Sequence, residues 1–252
     1  MISKNKFKYY SSLLRKKNRD IEKKFIAEGL KTVEEGLSSG FFCETVLVTD
    51  KFEETNKGYL KKYNIQVESV EQSDFCNLTE TVTPQGIAAV FDYPLPRNPE
   101  FITTDLVVCL ENISDPGNLG TIIRNCDWFG IQDIVLSKNC TDVYSSKTVR
   151  STMGSLFHVN IYKDIELPAW LGIIKKKDYK ILCADMEGEN IFAISKGKRN
   201  IILLSSESHG PTTEVLSLSD IRVTIPKFGN AESLNVASAS AVILSSLVQK
   251  KL

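Results

Sequence analysis

The chain has no excess of charge of either sign: lysine plus arginine and aspartate plus glutamate each number 31 in 252 residues. That balance excludes the global basicity that drives non-specific attachment to nucleic acid or to an anionic membrane. No apolar run approaches the ~20 residues of a membrane span. The residues after Met1 lead into charge instead of the apolar core of a signal peptide. A soluble, cytoplasmic protein with no membrane partner is expected. The six cysteines, Cys43, Cys76, Cys109, Cys126, Cys140 and Cys183, form no CxxC pair, and no histidine stands at metal-ligand spacing. Reduced thiols and no metal follow. No G-x-G-x-x-G or Walker sequence follows a candidate strand, which argues against an ordinary nucleotide-binding α/β enzyme. There is no internal repeat and no low-complexity tract.

What is present divides the chain. Prolines 94, 96 and 99 forbid a helix or a central strand, and mark residues 94–103 as a linker. Upstream, residues 1–93 read as a small α/β domain. Its apolar stripe Phe25, Leu30, Val33 and Leu37 has helical spacing, a charged helix is expected over Glu53 to Tyr63, and strands at Thr45 to Val48, Ile65 to Val70 and Gly86 to Phe91. Residues 1 to 31 carry ten basic side chains against three acidic ones, including Arg15, Lys16, Lys17 and Arg19. This is either a patch for a polyanion or a solvated, fraying terminus.

Downstream, residues 104–252 alternate between apolar runs and helical patterns. Strands are expected at Leu106 to Leu110, Asp133 to Ser137, Phe157 to Ile161, Ile181 to Ala184, Ile201 to Leu204 and Arg222 to Ile225. Helices are expected at Leu119 to Phe129, Ser145 to Thr152, Glu166 to Lys176 and Ser233 to Lys250. Such alternation predicts an α/β fold with a mainly parallel sheet covered on both faces.

Three polar segments follow three of these strands. The first runs Glu111-Asn112-Ile113-Ser114-Asp115-Pro116-Gly117-Asn118-Leu119-Gly120 and on to Arg124, with Asn118 placed to cap a helix. Arg124 calls for a phosphate or carboxylate partner, or else pairs with Asp127 or Asp115. The second, Ser205 to Gly210, sets Glu207 among small residues that let a ligand approach the backbone. The third, Ile225 to Asn235, is a tight turn in which Ser233 is the expected N-cap of the last helix. His158 and His209 are read as structural or surface side chains. The last helix mixes small residues with larger apolar ones, which suits an internal core or a subunit contact.

These segments resemble the signature motifs of the SpoU (TrmH-like) family of the SPOUT superfamily of RNA methyltransferases. Asn112, Asp115, Pro116, Asn118, Gly120 and Arg124 match the first pattern; Ile225, Pro226, Gly229, Glu232, Ser233, Leu234, Asn235 and Val236 match the third. Arg15, Arg19, Phe25, Glu28 and Gly29, with Thr83 to Ile87, match the N-terminal substrate-binding domain often found in the family. The resemblance implies an S-adenosylmethionine-dependent enzyme whose C-terminal sheet is tied in a trefoil knot, an exception to the rule that folds are unknotted. It implies a homodimer through the C-terminal domain and a ribose 2′-O-methyl product in ribosomal or transfer RNA. By resemblance, Asn112, Arg124, Glu207 and Asn235 form the catalytic site. Leu204, Ser205, Ser206, Gly210, Ile225, Pro226, Ser233 and Leu234 hold the cofactor, and Arg15, Lys16, Lys17, Arg19 and Arg124 contact RNA. Ser205 and Ser208 stand where the family often has glycine, and Lys227 where it is more often apolar. The alternative is a non-catalytic RNA-binding protein of the same fold acting in ribosome assembly, which the serines support and the retained Arg124, Glu207, Ser233 and Asn235 argue against.

Overall fold

The structure, a computed structural model, describes residues 1–206 and 209–249. In chain order its strands are β1 (Lys24–Glu28), β2 (Cys43–Val48), β3 (Val67–Ser69), β4 (Ile87–Asp92), β5 (Leu106–Glu111), β6 (Asp133–Ser137), β7 (Asn160–Ile165), β8 (Tyr179–Asn190), β9 (Arg199–Ser205) and β10 (Ile221–Thr224). The α-helices are α1 (Lys4–Ser12), α2 (Lys16–Glu22), α3 (Leu30–Leu37), α4 (Asp50–Thr55), α5 (Gln72–Leu78), α6 (Pro116–Trp128), α7 (Ser146–Thr152), α8 (Leu167–Ile174), α9 (Thr213–Leu218) and α10 (Val236–Val248). They form two compact units, Met1–Leu95 with Asp142–His158, and Pro96–Thr141 with Val159–Leu252.

In the first unit the sheet order is β1-β4-β2-β3, with β4 antiparallel to β1 and β2, and β2 parallel to β3. Tyr10 and Leu13 are buried against Ile26, Leu47, Phe75 and Leu78. The basic N-terminal stretch is therefore helical and anchored by apolar side chains, not a solvated tail. The charged helix expected over Glu53 to Tyr63 is broken, because Gly58 adopts φ 77° and only a 3₁₀ turn, Tyr59–Lys62, follows. Segment Asp142–His158 lies in this unit although it falls between β6 and β7 in sequence. Its Tyr144 stacks on Tyr93 with centroids 4.0 Å apart, and its Phe157 packs on Phe91 at 4.9 Å.

Arg19 departs from the expected RNA-contact set. It is only 4% exposed. Its Nη1 donates to the carbonyls of Leu13 (2.8 Å) and Leu14 (2.7 Å), while Nε and Nη2 donate to Asp142 Oδ2. A guanidinium taken out of water needs a carboxylate and carbonyl acceptors, and here it has both. Arg15, Lys16 and Lys17 are exposed.

In the second unit six strands lie in the order β10-β8-β9-β5-β6-β7, and every neighbouring pair is parallel. Leu106–Glu111 and Arg199–Ser205 are near-continuous apolar runs because each strand is covered on both faces. Val107, Cys109, Ile201 and Leu203 point to a core shared with Trp170, Leu171 and Ile174 of α8 and Val215 of α9. The alternate residues Val108, Leu110, Ile202 and Leu204 are buried on the opposite face. The expected strand Phe157 to Ile161 begins later, at Asn160, because Ser155–Phe157 form a 3₁₀ turn behind Gly154 at φ 99°.

Two helix starts differ from expectation. Asp115, not Asn118, caps α6: its Oδ1 accepts the Asn118 N–H at 2.8 Å and Pro116 occupies the first turn. Asn235, not Ser233, caps α10, and the end expected at Lys250 lies outside the described residues. Small residues on α10 let it lie close to α6, where Asn125 Nδ2 donates to Ala237 O (3.0 Å) and Ser240 Oγ (2.9 Å). At the far end of α10, Lys196 Nζ donates to the carbonyls of Ser246 (2.6 Å), Leu247 (3.0 Å) and Gln249 (3.1 Å). A cation at a helix C-terminus satisfies carbonyls that the helix itself leaves open.

Candidate active site

The parallel sheet puts the ends of β5, β9 and β10, and hence all three polar loops, at one edge of the second unit. β9 lies beside β5 with Ser205 paired to Glu111. β10 lies beyond β8, so its end is roughly 10 Å from that of β9 at the usual strand spacing.

The first loop begins with a backbone reversal. Asn112 adopts φ 57°, a left-handed conformation that asparagine tolerates better than most residues. Its N–H donates to Ser137 Oγ at 3.0 Å, and that hydroxyl lies 3.5 Å from Asn112 Oδ1. The Thr141 N–H donates to Ile113 O at 2.8 Å, so the end of β6 and the residues after it brace the loop. Arg124 is exposed on α6, and among the described residues it has neither a hydrogen bond nor an ion pair. Neither Asp115 nor Asp127 pairs with it. Since α6 starts at Pro116, Arg124 stands about 12 Å along the helix from the turn, farther than the sequence implies.

In the second loop Leu204 is buried and Ser205 and Ser206 are half-buried. Ser206 N–H donates to Glu111 O at 3.2 Å and Gly210 N–H to Ser206 O at 2.9 Å; Gly210 needs its φ of 63°. Ser205 belongs to β9 and has no positive φ, so a serine fits there without strain. Glu207 and Ser208 lie outside the described residues.

In the third loop Ile225 and Pro226 are half-buried and Ser233 and Leu234 exposed. Among the described residues, the backbone amides from Lys227 to Leu234 have no hydrogen-bond partner. The loop ends at Asn235, whose Oδ1 accepts the N–H groups of Ala237 (3.0 Å) and Ser238 (3.3 Å), while its Nδ2 donates to Asn118 Oδ1 at 2.9 Å. One side chain thus caps α10 and ties the third loop to the first. Asn235→Ala is expected to lose about 1 kcal/mol from the cap alone and to weaken any ligand held between the two loops. Urea unfolding alongside ligand titration checks this, and an unchanged unfolding midpoint would contradict the capping role.

Glu111, Asn118, Thr212 and Ser137 support the site, a role that sequence reasoning missed. Glu111 is 4% exposed; its Oε1 accepts the Thr212 hydroxyl at 2.7 Å and its Oε2 the Thr212 N–H at 3.1 Å. An acid closing an apolar strand is the signal that could have singled it out. Ser137 carries no local signal. His158 is exposed beside Glu35, with Nε2 and Oε2 3.3 Å apart, and His209 is exposed. Among the described residues there is no group of three His, Cys, Asp or Glu able to hold a metal, and no helix long and apolar enough to cross a membrane.

A sequence model of the SpoU rRNA Methylase family matches residues 105–245, and one of the MRM3-like substrate binding domain matches residues 4–89. The chain belongs to the SpoU rRNA methylase family. It is 32% identical over 240 residues, 95% of its own length and 94% of the relative's, to the 23S rRNA (guanosine(2553)-2′-O)-methyltransferase RlmP of Bacillus subtilis. It is 29% identical over 181 residues, 67% of its length and 62% of the relative's, to the 23S rRNA (uridine(2479)-2′-O)-methyltransferase of Streptomyces viridochromogenes. Its fold matches the AdoMet-bound rRNA methyltransferase of Sinorhizobium meliloti at 28% identity and a TM-score of 0.85, over 98% of this chain and 95% of that one.

Proposed function

We propose that this protein methylates a ribose 2′-hydroxyl in the RNA of the large ribosomal subunit. Family membership makes it an S-adenosylmethionine-dependent RNA 2′-O-methyltransferase; the RNA target, the site residues and the assembly are the proposal. The observation that carries it is the link from Asn235 to Asn118, which joins two signature motifs at the strand edge where α/β proteins bind ligands. The target follows the Bacillus subtilis relative, which aligns over 95% of the chain. The names of the two relatives specify different bases, so the base is set by RNA shape and by the N-terminal domain instead of the shared framework.

The third loop fits the cofactor: open amides from Lys227 to Leu234 can donate to a ligand's acceptor atoms, and the exposed Leu234 offers apolar surface. Leu204, Ser205, Ser206, Gly210, Ile225, Pro226, Ser233 and Leu234 would hold it. Bound S-adenosylmethionine supplies a methyl group made electrophilic by its sulfonium. Asn112, Arg124, Asn235 and Glu207 are the proposed catalytic residues. A guanidinium, which has no proton-accepting site, is a poor base. Arg124 therefore clamps the RNA phosphate and stabilises the alkoxide that develops as the 2′-hydroxyl passes its proton to solvent water.

Arg15, Lys16 and Lys17 contact the RNA backbone, with Arg19 holding the helix that carries them. The C-terminal domain, residues 104–252 by sequence, carries the trefoil knot and forms the homodimer. Thr121, Arg124 and Trp128 share one exposed face of α6, and Trp128 is 83% exposed, a large apolar group that a subunit contact would cover. Six free cysteines suit a reducing cytoplasm. The strain-free setting of Ser205 removes one of the two features that favoured a non-catalytic protein.

The test is calorimetric titration with S-adenosylmethionine, followed by transfer of labelled methyl to 23S rRNA and tRNA transcripts. Saturable binding with label confined to the ribose of 23S rRNA is expected. Label on tRNA alone would overturn the target, and a folded dimer that binds no cofactor would return the non-catalytic reading.

A further inference from the structure

Glu111 is a buried acid that the chemistry above leaves without a task. It ends β5, directly beside the end of β9, and it touches both ends of the second loop. Its backbone carbonyl accepts the Ser206 N–H at 3.2 Å, where the loop leaves the sheet. Its carboxylate takes the Thr212 hydroxyl (2.7 Å) and the Thr212 N–H (3.1 Å), where the loop enters α9. One residue of the first motif thereby fixes the distance between Ser206 and Thr212. The Gly210 N–H, bonded to Ser206 O, adds a bond inside the span.

We infer that Glu111 is a positioning residue that ties together Ser206 and Thr212, the two flanks of the second loop, and through them sets the affinity for S-adenosylmethionine. The inference rests on the methyltransferase reading and adds to it a group that does not itself touch the reacting atoms. The chemistry explains why an acid stands here. Two separate donors of Thr212 converge on one side chain, and a carboxylate offers each its own oxygen. Glu111 is 4% exposed and Thr212 half-buried, so truncation takes the acceptor from both Thr212 donors at a place with limited access to water. Glutamine keeps one acceptor for that N–H and can donate to the hydroxyl, which is free to turn. An amide should therefore substitute largely, and a methyl group should not.

The test is calorimetric titration of the full chain with S-adenosylmethionine, comparing wild type with Glu111→Ala, Glu111→Gln, Thr212→Val and the Glu111→Gln/Thr212→Val double variant. Glu111→Ala is expected to raise Kd about tenfold or more, the scale of losing hydrogen bonds to a charged group, while RNA affinity measured without cofactor stays at the wild-type value. Glu111→Gln should stay within about threefold. The double variant should be no weaker than Thr212→Val alone, because both changes act on one contact. Glu111→Ala with a lowered unfolding midpoint but wild-type Kd would reduce Glu111 to a structural part and overturn the inference. If that variant does not fold, additive losses in the other three overturn it equally. A wild-type chain that binds no cofactor overturns the methyltransferase reading as well, whereas a binding wild type with an unaffected Glu111→Ala overturns this inference alone.

Discussion

Replacing Arg124 with alanine is expected to lower methyl transfer at saturating S-adenosylmethionine by about a hundred- to a thousandfold, the loss typical of removing one donor aimed at developing negative charge. Cofactor affinity should not change, because Arg124 is absent from the three loop backbones that would hold it. The side chain has no ion pair or hydrogen bond among the described residues to compensate for its removal. An exposed arginine with no partner among the described residues can meet an RNA phosphate. Arg124→Lys keeps the positive charge but loses the planar fork, so RNA binding is partly retained and turnover is lost. Single-turnover transfer together with cofactor calorimetry separates these effects. Wild-type rates in Arg124→Lys would sink both the clamp and the alkoxide-stabilising role.

The largest expected stability change lies in the other unit. Arg19 and Asp142 form an ion pair whose side chains are 5% and 9% exposed. Arg19→Ala should cost about 3–5 kcal/mol, since it leaves a buried carboxylate without its counter-charge and the Leu13 and Leu14 carbonyls without their donor. Removing Asp142 as well should recover part of that loss, because the charge left behind is then gone. Urea unfolding of the single and double variants measures both. A loss below about 1 kcal/mol in Arg19→Ala would mean that the pair is no better than a surface contact.

The second sheet was readable because its strands are apolar runs closed by polar loops, and the signature motifs named the residues at its edge. The helix starts were less readable for a physical reason. Asp115 and Asn118 are both capable caps, as are Ser233 and Asn235. Only the position of Pro116, which fits a first helical turn, separates the first pair in sequence. Arg19 stood among exposed cations, and counting charge cannot show which of them turns inward. The brace from Ser137 to Asn112 joins residues 25 apart, one at the end of β6 and the other just past β5, with no periodicity to announce it. The proline boundary likewise gave no sign that Asp142–His158 would fold with residues upstream of it.

The bond from Asn235 to Asn118 spans 117 positions of sequence, and the far end of α10 is held by Lys196. A ribosome making this chain produces the first loop more than a hundred residues before Asn235, which ties the third loop to it. The proposed site therefore stays incomplete until α10 has been made and docked. Closing so long a loop late is slow compared with forming local helices. Newly made protein should acquire cofactor affinity in a distinct lag after its secondary structure has formed, and that lag is a property of the wiring instead of the chemistry.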